Sequence, residues 1–277
     1  MDLKYLEYEQ SGKIGVITLN RPEVRNALNM ELLLELYDTL HKLDWADEIS
    51  VLIVKGAGKG FSSGYDLDEI ALRDELPPHR DIMRDFDVLR IYDGIRKCTM
   101  ATIAQLHGFC LNGATDLCHQ LDFTIVADDC LVGYPTMRCW GASVANMWLY
   151  HMGPQWTKYM MMTGDYISGA FAEKIGFAIK SVSTEHLEKT TMDFAERLAN
   201  VDKKILSAHK RCVNAGLDLM GCRSMLDFGV QSDCLTNMAD NVQRTFDRTS
   251  GLGLEALLKE VNQGFKPQKA PFEPLDS

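Results

Sequence analysis

Ala101-Thr-Ile-Ala-Gln-Leu-His-Gly-Phe-Cys-Leu-Asn-Gly-Ala-Thr-Asp116 runs from an apolar strand, through a turn around Gly108 to Gly113, into the start of a helix. The same order of events stands upstream. Val51-Leu-Ile-Val54 is a short, fully apolar strand, and Lys55 to Gly64 behind it carries four glycines and two serines. Lys13 to Leu19 is a β-branched strand closed by Asn20-Arg-Pro22, and Asp122 to Ala127 is a further strand. Between them, Met30 to Leu43 places apolar residues at 32, 33, 36, 40 and 43, a helical period, and Arg80 to Ile95 is periodic in the same way. Strands alternating with helices predict an α/β protein built from crossover units. Beyond residue 165 the strand signal fades, and 186–214 and 252–265 look helical. Thr249-Ser-Gly-Leu-Gly253 is a hinge candidate, and the last ten residues look like a tail.

The bulk composition bounds the function. The chain has 277 residues, 46% hydrophobic and 25% charged, enough for a sizeable core and unlike a disordered chain. Its net charge of −10 argues against a nucleic-acid or anionic-membrane partner, both of which reward positive potential. No secretory signal pattern and no eighteen-residue apolar run occurs, so a cytoplasmic protein is expected. The eight cysteines form no C-x-x-C and no zinc spacing with histidine, so reduced thiols and no metal site are expected. A dinucleotide fold is disfavoured, because Gly56-Ala-Gly58-Lys-Gly60 lacks the third glycine of G-x-G-x-x-G. No G-K-[ST] occurs, which disfavours a P-loop.

Two loops could carry chemistry, Gly58 to Ile70 and His107 to Leu117. Each follows an apolar strand and bends through glycine. Glycine lets a backbone approach a ligand, and a helix N-terminus presents free N–H donors. Two such loops facing one point could form an oxyanion hole, where losing one donor costs about 3–4 kcal/mol of transition-state stabilisation. Ordinary glycine-bearing turns would leave the same pattern.

The ordered set of motifs resembles the enoyl-CoA hydratase/isomerase (crotonase) superfamily over nearly the whole chain. The matching pieces are Thr18-Leu-Asn-Arg-Pro22 with Asn26-Ala-Leu28, Phe61-Ser-Ser-Gly-Tyr-Asp-Leu67, Ala104 to Asp116, Asp122-Phe-Thr-Ile-Val-Ala127, and Met162-Thr-Gly-Asp165 followed by Ala172-Glu-Lys-Ile-Gly176. The resemblance implies a crotonase-like spiral of repeated ββα units over 1–200. It also implies a helical C-terminal region, 201–277, that caps the site and packs on neighbouring subunits as a trimer or dimer of trimers. The substrate class implied is an acyl-CoA thioester, with coenzyme A entering as part of the substrate and no separate cofactor. Position by position, the two oxyanion donors fall on the backbone N–H groups of Tyr65 and Gly113. The coenzyme A contacts fall on Arg25, Ser63, Asp66 and Leu67, with Lys210 on a late helix as a further phosphate partner. Tyr134 and Trp140 are placed beside the acyl group. Asp122 matches a structural aspartate.

Hydratases of the superfamily use two glutamates around one water, each general acid/base group being worth about 10²–10⁴-fold. Here the first position matches Asp116, one methylene shorter. The second, in Gly133-Tyr-Pro-Thr-Met-Arg-Cys-Trp-Gly141, matches Thr136, which cannot act as a base near neutral pH although its hydroxyl could position a water. Ala142 to Met147 supplies no carboxylate. Four readings stay open: Asp116 shuttling a proton alone in an isomerisation; Asp116 with a water on Thr136 in a hydration, retro-aldol or C–C hydrolysis; another side chain, from Tyr134, Arg138, His151 or His107; or a silent paralogue that only binds acyl-CoA or assembles. Hydration of an enoyl-CoA, with Asp116 as the main acid/base, is the favoured expectation.

Overall fold

The computed structural model describes residues 3–66, 69, 78–139, 143, 147–240, 242 and 259. Leu67, Trp140, the hinge candidate at 249–253 and the C-terminal tail lie outside the described residues, as does 252–265 apart from residue 259.

Six strands form the main sheet: β1 (Leu6–Ser11), β2 (Ile14–Leu19), β3 (Val51–Gly56), β4 (Ala101–Leu106), β6 (Phe123–Ala127) and β9 (Lys180–Val182). They lie side by side in chain order. The β1–β2 pair is antiparallel and every other pair is parallel, with Val51 opposite Ala101 and Ile103 opposite Phe123. Central parallel strands are covered on both faces, which is why β3 and β4 are continuous apolar runs buried along almost their whole length. A second sheet joins β5 (Phe109–Leu111), β7 (Leu131–Gly133) and β8 (Tyr166–Ser168). The consecutive strands β4 and β5, and then β6 and β7, each divided between the two sheets, are successive turns of a spiral.

Helix α1 (Met30–Ala46) buries Leu32, Leu33, Leu36, Leu40 and Leu43, the face its periodicity predicts. Asn29 caps it by accepting the Leu32 N–H at 2.9 Å. Helix α2 (Pro78–Lys97) follows β3, and α3 (Gly113–Cys118) follows β5 with all six residues buried. Then come α4 (Trp148–Thr163), broken at Gly153–Pro154, α5 (Gly169–Ile175), α6 (Thr184–Ala199), α7 (Lys203–Leu219) and α8 (Cys222–Asn237). The stretch 186–214, expected as helical, is two helices. The break at Asn200–Asp202 is stabilised by Asp202, which caps α7 by accepting the Lys204 N–H. The C-terminal helices are tied to the core through α2: Arg96 donates to Asp218 at 2.9 Å and its carbonyl accepts from Asn214.

None of the eight cysteines, all of them among the described residues, is joined to another in a disulfide. Among the described residues no helix is long and apolar enough to cross a membrane, and no cluster of His, Cys, Asp and Glu has metal-binding geometry.

Candidate active site

Strands β3 and β4 are parallel neighbours, so the loops leaving their C-terminal ends lie side by side. The carboxyl ends of parallel strands are where ligands of α/β proteins bind. Asn26 stitches the first loop together: its side-chain nitrogen donates to the carbonyls of Ala57, Gly60 and Phe61, and its own carbonyl accepts from the Ser62 hydroxyl. The backbone of Ser62 bridges to Cys110 in the second loop. Gly64, at φ +101°, lies so close to that loop that a Cβ there would meet the Asn112 Cβ at 2.6 Å and the Gly113 nitrogen at 2.9 Å.

Tyr65 bridges in parallel to Leu28, where the bonds run from the Leu28 N–H to the Gly64 carbonyl and from the Asp66 N–H to the Leu28 carbonyl. The Tyr65 N–H therefore points to the opposite side. Gly113 opens α3, and the first N–H groups of a helix have no intrahelical acceptor. Among the described residues neither N–H has an acceptor.

Asp116 lies in the first turn of α3 and is fully buried. Its Oδ1 accepts from Ser143 Oγ at 2.5 Å, and its Oδ2 accepts from the hydroxyls of Tyr134 at 3.2 Å and Tyr65 at 3.4 Å. The Tyr65 hydroxyl is also 3.1 Å from that of Tyr92 on α2. Burial pushes the Asp116 carboxyl up to about 7, and the three hydroxyl donors hold it from rising further. Burial, and then the charge of Asp116, push the phenols of Tyr92 and Tyr134 well above their usual value, so both stay protonated and donate. Asp116 is thus poised to take up or release a proton near neutral pH.

Asn112 precedes Gly113 at φ 52° and ψ −132°, the conformation of the first central residue of a type II′ turn, where glycine is favoured. Holding a side chain there costs of order 1–3 kcal/mol. The Asn112 amide donates to the Ser63 carbonyl at 3.1 Å, and its Oδ1 accepts from the Thr136 hydroxyl at 2.9 Å and the Thr136 N–H at 3.2 Å.

Thr136 therefore bonds to Asn112 and makes no direct bond to Asp116. Asp66 is ion-paired with Arg21 at 2.8 Å, and the Ser63 carbonyl accepts from the Asn112 amide. Arg25 is exposed and forms no ion pair among the described residues. Lys210 departs from the expectation of a phosphate contact. Its ammonium is buried and donates to Asp122 at 2.8 Å, Met100 O at 2.9 Å and Cys98 Sγ at 3.4 Å, which uses all three protons. Asp122 also accepts from the N–H and hydroxyl of Thr102, a structural role. Of the other side chains considered, only Tyr134 reaches Asp116. Arg138 is paired with Asp165 at 2.7 Å, His107 bonds the Gly58 carbonyl, and His151 stacks on His119.

Ser143, Tyr92 and the Asn112 side chain are the participants that sequence reasoning passed over. Ser143 lies in the stretch Ala142 to Met147, which carries no carboxylate. A buried acid also calls for hydroxyl donors, and that requirement was the available signal.

The family model described as enoyl-CoA hydratase/isomerase matches residues 9–245. The crystal structure of an enoyl-CoA hydratase from Mycobacterium smegmatis superposes with a TM-score of 0.89 at 28% identity, covering 95% of this chain and 94% of that one. A hydroxycinnamoyl-CoA hydratase-lyase from Pseudomonas fluorescens is 29% identical over 75% of this chain and 77% of its own length. A crotonyl-CoA hydratase from Syntrophomonas wolfei is 28% identical over 76% and 81%.

Proposed function

The chain belongs to the enoyl-CoA hydratase/isomerase family, and from that premise we propose that it transfers a proton beside the carbonyl of an enoyl-coenzyme A thioester, with Asp116 as its acid and base. One observation carries this: a buried carboxyl held near pH 7 beside two touching loops, each with an N–H that has no acceptor among the described residues. In this reading the N–H groups of Tyr65 and Gly113 hold the thioester oxygen as charge develops on it, where one such donor is worth about 10²–10³ in kcat. Arg25, Ser63 and Asp66 line the path of coenzyme A. Tyr134 stands beside the acyl group.

Hydration is the reaction proposed first, with Asp116 passing a proton between water and the α-carbon. Double-bond isomerisation is the second reading. It is favoured by the neutral Thr136, bonded to Asn112, at the position where hydratases of this family place their second carboxylate. Incubation with a panel of enoyl- and dienoyl-CoA thioesters separates the two, because hydration adds the mass of water and isomerisation leaves the mass unchanged. Asp116→Asn should abolish turnover and retain coenzyme A binding. Full activity in that variant would remove Asp116 from the mechanism, and no turnover on any thioester would favour a binding protein.

For assembly, we read the exposed apolar side chains of α7 and α8, Val213, Leu219, Phe228 and Leu235 among them, as a face on which subunits meet in a trimer or dimer of trimers. Sedimentation of wild type against Phe228→Glu tests it, and a wild-type monomer would refute it.

A further inference from the structure

We infer that Asn112 is the positioning residue of the two-donor site: its side chain fixes the separation of the Tyr65 and Gly113 N–H groups, with Thr136 serving to orient it. We rest this on the two-donor reading above. Asn112 stands directly before Gly113. The carbonyl to which its amide donates belongs to Ser63, two residues before Tyr65. Between Ser63 and Tyr65 lies Gly64, whose bare Cα packs against Asn112 and the Gly113 nitrogen. One side chain thus ties the peptide leading into the first donor to the peptide carrying the second.

The orientation of the amide is unambiguous. The Thr136 N–H can only donate and the Ser63 carbonyl can only accept, so the Asn112 oxygen faces Thr136 and its nitrogen faces Ser63. The Thr136 hydroxyl adds a second donor to the same oxygen and locks the amide against rotation. The main chain of Asn112 is equally committed, donating to the Gly133 carbonyl at 2.9 Å and accepting from Thr115. Glycine would adopt this backbone conformation without strain. Asparagine adds to the position only its three side-chain bonds, and all three converge on the geometry of the donors. Thr136, matched to a catalytic carboxylate by its place in the sequence, thereby becomes a support for the opposite wall of the site.

The test is the carbonyl stretch of a bound saturated acyl-CoA labelled with ¹³C at the thioester carbon, read by infrared spectroscopy. Wild type should shift the band to lower frequency on binding. Asn112→Gly should return it toward the free value and lower kcat by about 100-fold, the cost of a displacement of about 1 Å at a reacting centre. KM should stay within about threefold and the melting temperature should hold or rise as backbone strain is relieved. Asn112→Asp, which keeps the acceptor for Thr136 but faces the Ser63 carbonyl with an oxygen, should show the same loss of shift. Thr136→Val should cost activity in wild type and add less than about twofold in the Asn112→Gly background, since the two residues act through one contact. A wild-type band shift that persists in both Asn112 variants with kcat unchanged would overturn the role of Asn112 alone. A wild-type band that does not move on binding would overturn the two-donor reading and this inference with it.

Discussion

The Ser143 hydroxyl lies 2.5 Å from Oδ1 of Asp116, although Ser143 belongs to a segment 27 residues further along the chain. That bond opposes the upward push of burial on the carboxyl. A hydrogen bond to a charged group is worth about 1.5–3 kcal/mol, or about one to two pH units. Ser143→Ala should therefore move the acid limb of the kcat/KM profile upward by about that amount. Activity at pH 7 should fall about tenfold and largely return at pH 9. A profile that drops in height without moving would show that Ser143 does not act through Asp116. Tyr134→Phe, removing a longer bond to Oδ2, should shift the limb in the same direction by less.

Asp116 also sets a stability trend with pH. Its carboxyl is raised in the folded state from the ordinary 3.8 to about 7, so the unfolded chain ionises first. Its contribution to stability is full below pH 3.8 and is lost as pH rises through 7. Over roughly three units the loss approaches about 4 kcal/mol. Asp116→Asn should thus be more stable than wild type at pH 8 in urea unfolding, and the gap should close toward pH 4. A gap independent of pH would mean that Asp116 is not the group responsible.

His119 sets the opposite trend. It is buried against Trp148, His151 and Phe177, and neither ring nitrogen has a partner among the described residues. Burial holds its imidazole well below the usual value. Its neutral form is therefore compatible with the fold above about pH 6.5, and stability is lost as pH falls below that and the unfolded chain takes up the proton. His119→Phe should flatten the decline between pH 7 and pH 5. An unchanged slope in that variant would assign the acid sensitivity elsewhere.

Lys210 and Arg25 should separate cleanly. Lys210→Met removes the cation from a buried pair and leaves Asp122 charged, which should cost about 3 kcal/mol of stability with KM for a coenzyme A thioester unchanged. Arg25→Ala, at an exposed side chain, should raise KM several-fold with stability unaltered. The reverse pattern in a melting and kinetic comparison would restore Lys210 as the phosphate contact.

The sequence was most legible where burial is continuous or periodic. Strand β4 begins and ends where its apolar run does, and the buried face of α1 is the one its leucines trace. Strand β1 was not legible because only Leu6 of its six residues is buried. Strands β8 and β9 have three residues each, too few to show alternation. At the site, the glycine loops and Asp116 were visible as local patterns. Ser143 was not, because it reaches Asp116 from a segment far along the chain, and Tyr92 joins the group only through the hydroxyl of Tyr65. The ion pair of Lys210 was hidden for a related reason: Asp122, the acid it meets, lies far earlier in the chain.

The order of the main sheet bears on how the molecule is made. From β1 to β9 each strand is added beside the one before it, and none is inserted between two already in place. During synthesis every new strand can therefore anneal to a finished edge, and loop closure stays local. The two glycine loops can meet once β4 has paired with β3. Thr136 and Ser143 emerge afterwards, so the polypeptide builds its reaction chamber before it makes the residues that tune it.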